Sequence, residues 1–414
     1  MPELNPIMNH TGNRSHIDYH KIVIFGAGKI GRSFIGQLFG RSGYKLVFID
    51  ADPGVVERLN SRNSYRIIIK SEKDEEIVVS NLQAIHASDT SLVAEAVSSA
   101  GIMAVSVGKN AIEKVIPVVA SGLKIRYTKN PASPLDIILA ENMRSAAEFV
   151  RTELIKNLPP DFPVDSYIGL IETSIGKMVP IMPIAELEKD PLVIFAEPYN
   201  TLILDAKGFK NPVPQVKGLA PKNNIKAWVD RKAFIHNLGH ATAAYCGYYL
   251  YPGAVYMYEV LDHTEVKEFT REVMLQSADI LRSAYPDDFT VSDLEDHIDD
   301  LILRFRNKSL RDTIFRVGQD LKRKLSSDDR FMGAIHLAMQ YKLPYDKIVK
   351  AMSFGLFFHA EDESGNRYQP DIDFQNSITK SFETTLINTL GLDPVMDQAV
   401  LKQLKRHFTG DIAL

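Results

Sequence analysis

The feature that most constrains this chain is a glycine pattern in a fixed context. Lys21–Phe25 (KIVIF) is a short apolar run, and Gly26-Ala27-Gly28-Lys29-Ile30-Gly31 follows it directly. Ile30–Arg41 then has helical spacing, with Ile30, Phe34, Ile35 and Leu38 on one side. A strand that turns through G-x-G-x-x-G into a helix is the opening of a β-α-β unit, and such units build parallel sheets.

The alternation continues. Leu46–Asp50 reads as a second strand, and Asp52-Pro53 as a cap with proline in the first helical turn. Further strands are predicted at 65–69, 76–80, 102–107, 136–140 and 166–172. Leu192–Glu197 and Thr201–Asp205 read as a hairpin at the sheet edge. After about Pro212 helical periodicity takes over. One long helix is expected from a cap at Asn223 or Asn224 to Tyr251, where Pro252-Gly253 stops it. Others follow over 262–284, 293–306, 310–325 and 328–341. The predicted fold class is α/β: a Rossmann-type doubly wound sheet domain over 21–210, then a mostly helical C-terminal domain over 211–414. Residues 1–20 are polar and read as a loosely ordered extension.

Composition narrows the function. With 414 residues, two domains are the natural prior. The net charge of −4 does not suggest a nucleic-acid or membrane-surface partner. Cys246 is the only cysteine, which leaves no thiolate zinc cluster and suits the cytoplasm. No metal site is expected.

In the glycine pattern, Gly26 permits the tight turn, Gly28 lets backbone approach a pyrophosphate, and Gly31 lets the helix pack close to the strand. The helix N-terminus adds free N–H groups and partial positive charge. Asp50, 19 residues beyond Gly31, stands where a carboxylate accepts hydrogen bonds from ribose hydroxyls and repels a 2′-phosphate. The expected cofactor is therefore NAD rather than NADP. Val107-Gly108 ends a strand on the same carboxyl edge and is placed by topology alone beside the nicotinamide. The alternative is a tight turn with an ordinary solvated aspartate.

The reaction must be read elsewhere. No Tyr-x-x-x-Lys pair occurs, and the cysteine count excludes a cysteine-based zinc site. The remaining candidate is the helix Lys232-Ala233-Phe234-Ile235-His236-Asn237-Leu238-Gly239-His240. At α-helical spacing Lys232 and His240 lie about 80° apart and Asn237 about 140° from Lys232, a sector wide enough to line a cleft. It offers a base, an amide and an imidazole to an alcohol that must lose its proton. Periodicity alone favours the plainer alternative, an amphipathic helix with Lys232 in solvent and His240 in the core.

The Lys232-x4-Asn237-x2-His240 pattern resembles the signature of the polyol-specific long-chain dehydrogenases, the mannitol dehydrogenase family. Similar stretches occur at 25–36 (FGAGKIGRSFIG), 59–65, 133–143 (SPLDIILAENM), 190–197, 231–245 (RKAFIHNLGHATAAY) and 316–330. The resemblance implies an NAD-dependent oxidoreductase with Lys232 as acid/base. It also implies that Asn237 and Asn142 hold the reacting oxygen and that His240 orients the substrate, a polyol or sugar phosphate such as mannitol 1-phosphate. Asn142 also reads as a helix N-cap. An unphosphorylated polyol or a keto-uronate is the alternative substrate, and a nucleotide sensor without catalysis is the alternative of another class. The chain departs from the family at Gly176-Lys177, where Asp-Arg is common, at Leu202 for tryptophan and at His359 for arginine. Lys322, Arg323, Lys324 and Arg330 form a basic cluster that reads either as a phosphate site or as a solvated helix face.

Overall fold

The structure is a computed structural model and describes residues 17–141, 143–180, 182–410 and 412. Its first part contains the strands β1 (Asp18–Phe25), β2 (Lys45–Asp50), β3 (Ser64–Ile69), β4 (Glu75–Ser80), β5 (Leu82–His86) and β6 (Ala100–Val105). β7 (Leu135–Leu139), β8 (Ile168–Ser174), β9 (Ile194–Ala196), β10 (Leu202–Asp205) and β11 (Leu219–Lys222) complete them. Eight strands form one sheet in the order β11-β10-β8-β7-β6-β1-β2-β5. Six are mutually parallel from β8 to β5, while β10 runs antiparallel to β8 and β11 parallel to β10.

Period-two alternation divides the strand side chains between two cores. Ile22, Ile24, Leu46, Phe48 and Ala104 pack on one face, against the helix that follows the glycines. Val23, Phe25, Val47, Ile49 and Val105 pack on the other, with residues from the helices Thr90–Ser98, Ile112–Lys129 and Ala146–Asn157. Both faces are thus buried, which is why the strands read as continuous apolar runs. The chain order reverses between β1 and β6, and the carboxyl ends of those two strands open a crevice. From Ile225 onward the described elements are helices and share one large core, with the helix Thr264–Ala284 through it.

Several expectations are corrected. The anticipated 192–197/201–205 hairpin does not form: β9 pairs with β3, while β10 joins the main sheet beside β8. Glu197, just past β9, is drawn to Arg304 instead of turning back. β3, β4 and β9 make a separate three-stranded sheet. β5 and β11 escaped the sequence reading. The helix expected over 310–325 breaks into Ile314–Gly318 and Leu321–Lys324, because Asp320 between them takes a positive φ of 73°. Asn224 does precede the long helix, but its amide donates to Asp288 rather than capping. The strand β1 already begins at Asp18, and residues 1–16 of the expected extension lie outside the described residues.

Gly31 shows how tightly the first turn is built. A Cβ there would stand 1.9 Å from the Gly26 carbonyl oxygen, whereas one at Gly28 would meet nothing within 4 Å. Gly31→Ala is therefore expected to lower unfolding stability by about 1–3 kcal/mol through overpacking. Gly28→Ala should change it by less than about 0.5 kcal/mol. Denaturant unfolding of the two variants checks the contrast, and equal effects would contradict it.

Candidate functional site

The glycine turn sits at the β1/β6 reversal. Gly26 has φ +91°, and Ser106 beyond β6 donates its hydroxyl to the carbonyls of Phe25 and Gly26 at 3.1 and 3.2 Å. Asp50 braces the same turn. Its two carboxylate oxygens accept from the Ala27 and Asp52 N–H groups at 2.7 and 2.9 Å. Each oxygen retains acceptor capacity beyond these bonds. The segment Gly31–Gly36 winds as a π-helix, with the Tyr65 hydroxyl donating to the Arg32 carbonyl. Gly28 borders open space, while Lys29 and Ile30 line the main cleft. Val107-Gly108 lies on the same edge. Gly108 takes φ +85°, and its N–H donates to Glu141 at 2.7 Å. Burial pushes the Glu141 carboxyl up, against the pull of that bond.

The second wall comes from the long helix. Ile225–Arg231 is α-helical, Lys232–Asn237 is a π turn, and Leu238–Leu250 is α-helical again. Residues five apart diverge by about 140° on an α-helix. In a π turn, whose ladder joins i to i+5, they come onto one face. Lys232 and Asn237 are such a pair, and both line the cleft. Two buried groups bind the turn's carbonyls. Ser277 donates its hydroxyl to the Phe234 carbonyl at 2.6 Å, and Arg330 donates to the Asn237 carbonyl at 3.2 Å.

Electrostatics tune this wall. Burial, helped by the Arg330 guanidinium, brings the Lys232 amine down to about 8. His240 stacks on Phe305 at 4.3 Å, and burial lowers its pKa despite the neighbouring Asp312. Its Nε2 lies 3.3 Å from Asp312 Oδ2 without hydrogen-bond alignment, a buried nitrogen without such a partner. Asp312 is itself buried, yet His240 and Arg316 hold its carboxyl at about 2. Asn142 lies outside the described residues.

The cleft between the sheet edge and the helices has a volume of about 880 Å³, in the range of ligand sites. Of the basic cluster, Arg323, Lys324 and Arg330 line it. Lys322 is exposed and is not among the described lining residues. Lys324 is buried, donates to the Val317 and Gln319 carbonyls, and is brought down to about 7 by burial and the neighbouring guanidinium groups. Arg330 is committed to Asp329 and Asn237. Arg323 is exposed, with Asp320 and Asp329 beside it.

The sequence reading missed Glu141, Lys177, His236 and Arg304. Glu141 directly precedes Asn142 at the end of β7, a signal that was available. Lys177 Nζ donates to Gln37 and Asn200, and burial brings it down to about 7. Arg304 pairs with the buried Glu197 across 107 residues of chain, which no spacing rule reveals. Leu202 is buried within β10, and His359 is exposed beside Arg367, away from the cleft lining. Among the described residues no group of three or more His, Cys, Asp or Glu could hold a metal ion, and no helix is long and apolar enough to cross a membrane.

Two family models match in tandem: the mannitol dehydrogenase Rossmann domain over residues 20–218 and the mannitol dehydrogenase C-terminal domain over 224–404. The chain belongs to the mannitol dehydrogenase family. That family membership makes it an oxidoreductase of the polyol dehydrogenase kind. It is 29% identical over 384 residues to a mannitol-1-phosphate 5-dehydrogenase of Buchnera aphidicola subsp. Acyrthosiphon pisum (strain APS), covering 92% of this chain and 96% of that relative. Among solved structures, a substrate-free D-sorbitol dehydrogenase superposes with a TM-score of 0.76 at 17% identity, covering 96% of this chain and 94% of the other. Pseudomonas fluorescens mannitol 2-dehydrogenase, in a ternary complex with NAD and D-mannitol, gives 0.69 at 14% identity, with 94% and 91% covered. Both show the same two-domain fold.

The placement of Asp50 leads to a test. Wild-type enzyme is expected to have a kcat/KM at least about tenfold higher with NADH than with NADPH, because a carboxylate at that position disfavours a 2′-phosphate. Asp50→Ala should narrow the ratio while also loosening the turn that Ala27 anchors. A wild type that prefers NADPH would overturn the assignment.

Proposed function

We propose that this chain is an NAD-dependent dehydrogenase that interconverts mannitol 1-phosphate and fructose 6-phosphate, with Lys232 as general acid/base. The observation that carries this reading is the charge of the cleft. Among the described lining residues there are eight Lys or Arg and three Asp or Glu. Even with Lys177, Lys232 and Lys324 brought down to about 7 to 8, the basic groups, four of them arginines, outnumber the acids. Such a surface suits a ligand set with a pyrophosphate at one end and a sugar phosphate at the other. The likeness to the Buchnera relative supports the same substrate.

The residues present fit a dinucleotide. Gly28 leaves the backbone bare at the helix start, Gly26 holds the turn, and Asp50, bonded to the Ala27 N–H at the end of β2, would meet the ribose hydroxyls. When bound, NAD supplies the acceptor for the hydride removed from the carbinol carbon. The chain's own work is with the proton and the oxygen. Lys232 Nζ takes the hydroxyl proton in the oxidative direction and returns it in reduction. Asn237, on the same face of the π turn, is placed to donate to the reacting oxygen, and His240 to orient the substrate. A neutral amine is the base and an ammonium is the acid. With the pKa near 8, polyol oxidation should therefore rise with pH through about 8, while ketose reduction should fall above it. Lys232→Ala should lower kcat by about 10²–10⁴ with NADH affinity nearly intact. Steady-state pH profiles and fluorescence titration with NADH check both statements, and near-wild-type turnover in Lys232→Ala would refute the mechanism.

Arg323 is the cluster's best placed phosphate partner because it is the exposed member on the cleft. Its guanidinium is paired only at the surface with Asp320 and Asp329, whereas Lys324 and Arg330 are buried. Fructose 6-phosphate should be reduced far more efficiently than fructose. Arg323→Ala should raise KM for the phosphorylated sugar about tenfold, as expected for one lost charge-assisted hydrogen bond, with little effect on free fructose. Arg330→Ala should impair both, because it releases the Asn237 carbonyl. Equal wild-type kcat/KM for the two sugars would remove the phosphate site and favour a free polyol or a uronate.

A further inference from the structure

Beside Lys232 the cleft carries a side pocket of about 10 Å³, walled by Gly176, Tyr199, His236, His297 and Arg304. That is room for about one water-sized group. The pocket exists because residue 176 has no side chain. A Cβ there would stand 3.7 Å from Tyr199 Cε1 and 3.8 Å from His236 Nδ1, filling the opening without a collision. Of the polar residues around this gap, His236 lies 3.8 Å from where a Cβ at position 176 would stand. Its ring is only 6% exposed and packs 5.5 Å from the ring of Phe305. Among the described residues neither of its nitrogens takes part in a hydrogen bond. Burial, with Arg304 and Lys232 nearby, holds its pKa well below the ordinary imidazole value. The ring is therefore neutral, with one nitrogen to donate and one to accept. Arg304, which also lines the pocket, is already committed to Glu197 and to the Gly176 carbonyl.

Lys232 lines both the side pocket and the main cleft. With Lys232 common to both, a group attached to the carbon whose oxygen Lys232 serves is the part of a ligand nearest the pocket. The hydroxyl end of a hydroxymethyl group fits this water-sized space, and a phosphate does not. We propose that the pocket takes the unsubstituted hydroxymethyl group next to the reacting carbon, hydrogen-bonded by His236, so that the enzyme selects 2-ketoses that are free at carbon 1. This orients the substrate, with its long end toward Arg323. The inference rests on the polyol–ketose part of the proposed function and not on the phosphate.

The test is the ratio of kcat/KM for a ketose over its 1-deoxy analogue. It is measured for fructose 6-phosphate and for fructose, in wild type, Gly176→Ala and His236→Phe. Wild type is expected to favour the hydroxylated member about tenfold or more, because an analogue without the hydroxyl leaves the site's polar group unpaired. In both variants the ratio should fall to within about twofold of one, with NADH affinity unchanged. If fructose is reduced better than its 6-phosphate, the phosphate reading fails and the free pair still decides the pocket. Gly176→Ala introduces no contact inside 3.7 Å, so it gives the readout even if His236→Phe does not fold. A wild-type ratio near one, a ratio that survives in Gly176→Ala, or reduction of neither ketose would overturn the proposal.

Discussion

The site depends on one widened helical turn. A continuous α-helix from Ile225 to Leu250 would send Lys232 and Asn237 to different sides. The π turn over Lys232–Asn237 brings them to one face. A widened turn weakens the regular ladder, and its carbonyls are met from outside by Ser277 and Arg330. Ser277 belongs to the central helix of the C-terminal core, and Arg330 begins the helix Arg330–Tyr341. The packing of the whole helical domain is thereby coupled to the position of one amine. The glycine turn repeats the device: a second π segment follows it, with Tyr65 on the Arg32 carbonyl.

Burial then sets the chemistry. Taking Lys232 out of water and placing a guanidinium near it makes its proton easier to lose. The same burial holds the His240 and His236 imidazoles below their ordinary value, which favours their neutral form beside Lys232. Arg144, Arg316 and Arg323 line the same cleft and add positive charge to it. That arrangement suits a proton-transfer centre with anion-binding groups nearby.

Much of this was legible in the sequence, and the exceptions have physical reasons. The six parallel strands bury both faces, so each reads as an apolar run, apart from β5. That strand (LQAIH) alternates with polar residues because it is the sheet's outer edge. β11 (LAPK) carries Pro221, which an edge strand tolerates and a sequence reading takes as a breaker. β4 (EEIVVS) alternates exposed and buried residues, the mark of a small one-faced sheet rather than a member of the main one. The Lys232-x4-Asn237-x2-His240 spacing was visible as a pattern, but α and π turns have the same letters, so the convergence of Lys232 and Asn237 was not. Gly176 stood out only as a missing acid, and its meaning as a space appears once Tyr199 and His236 are seen around it.

The central claim is that this buried turn delivers a lysine amine that titrates near neutrality. The most direct measurement is a heteronuclear NMR titration of the lysine side chains in the NADH-free enzyme, with Lys232 assigned by the signal lost in Lys232→Met. An amine that titrates near 8 agrees with the account. An amine that stays protonated up to the ordinary lysine value of 10.5 would contradict it.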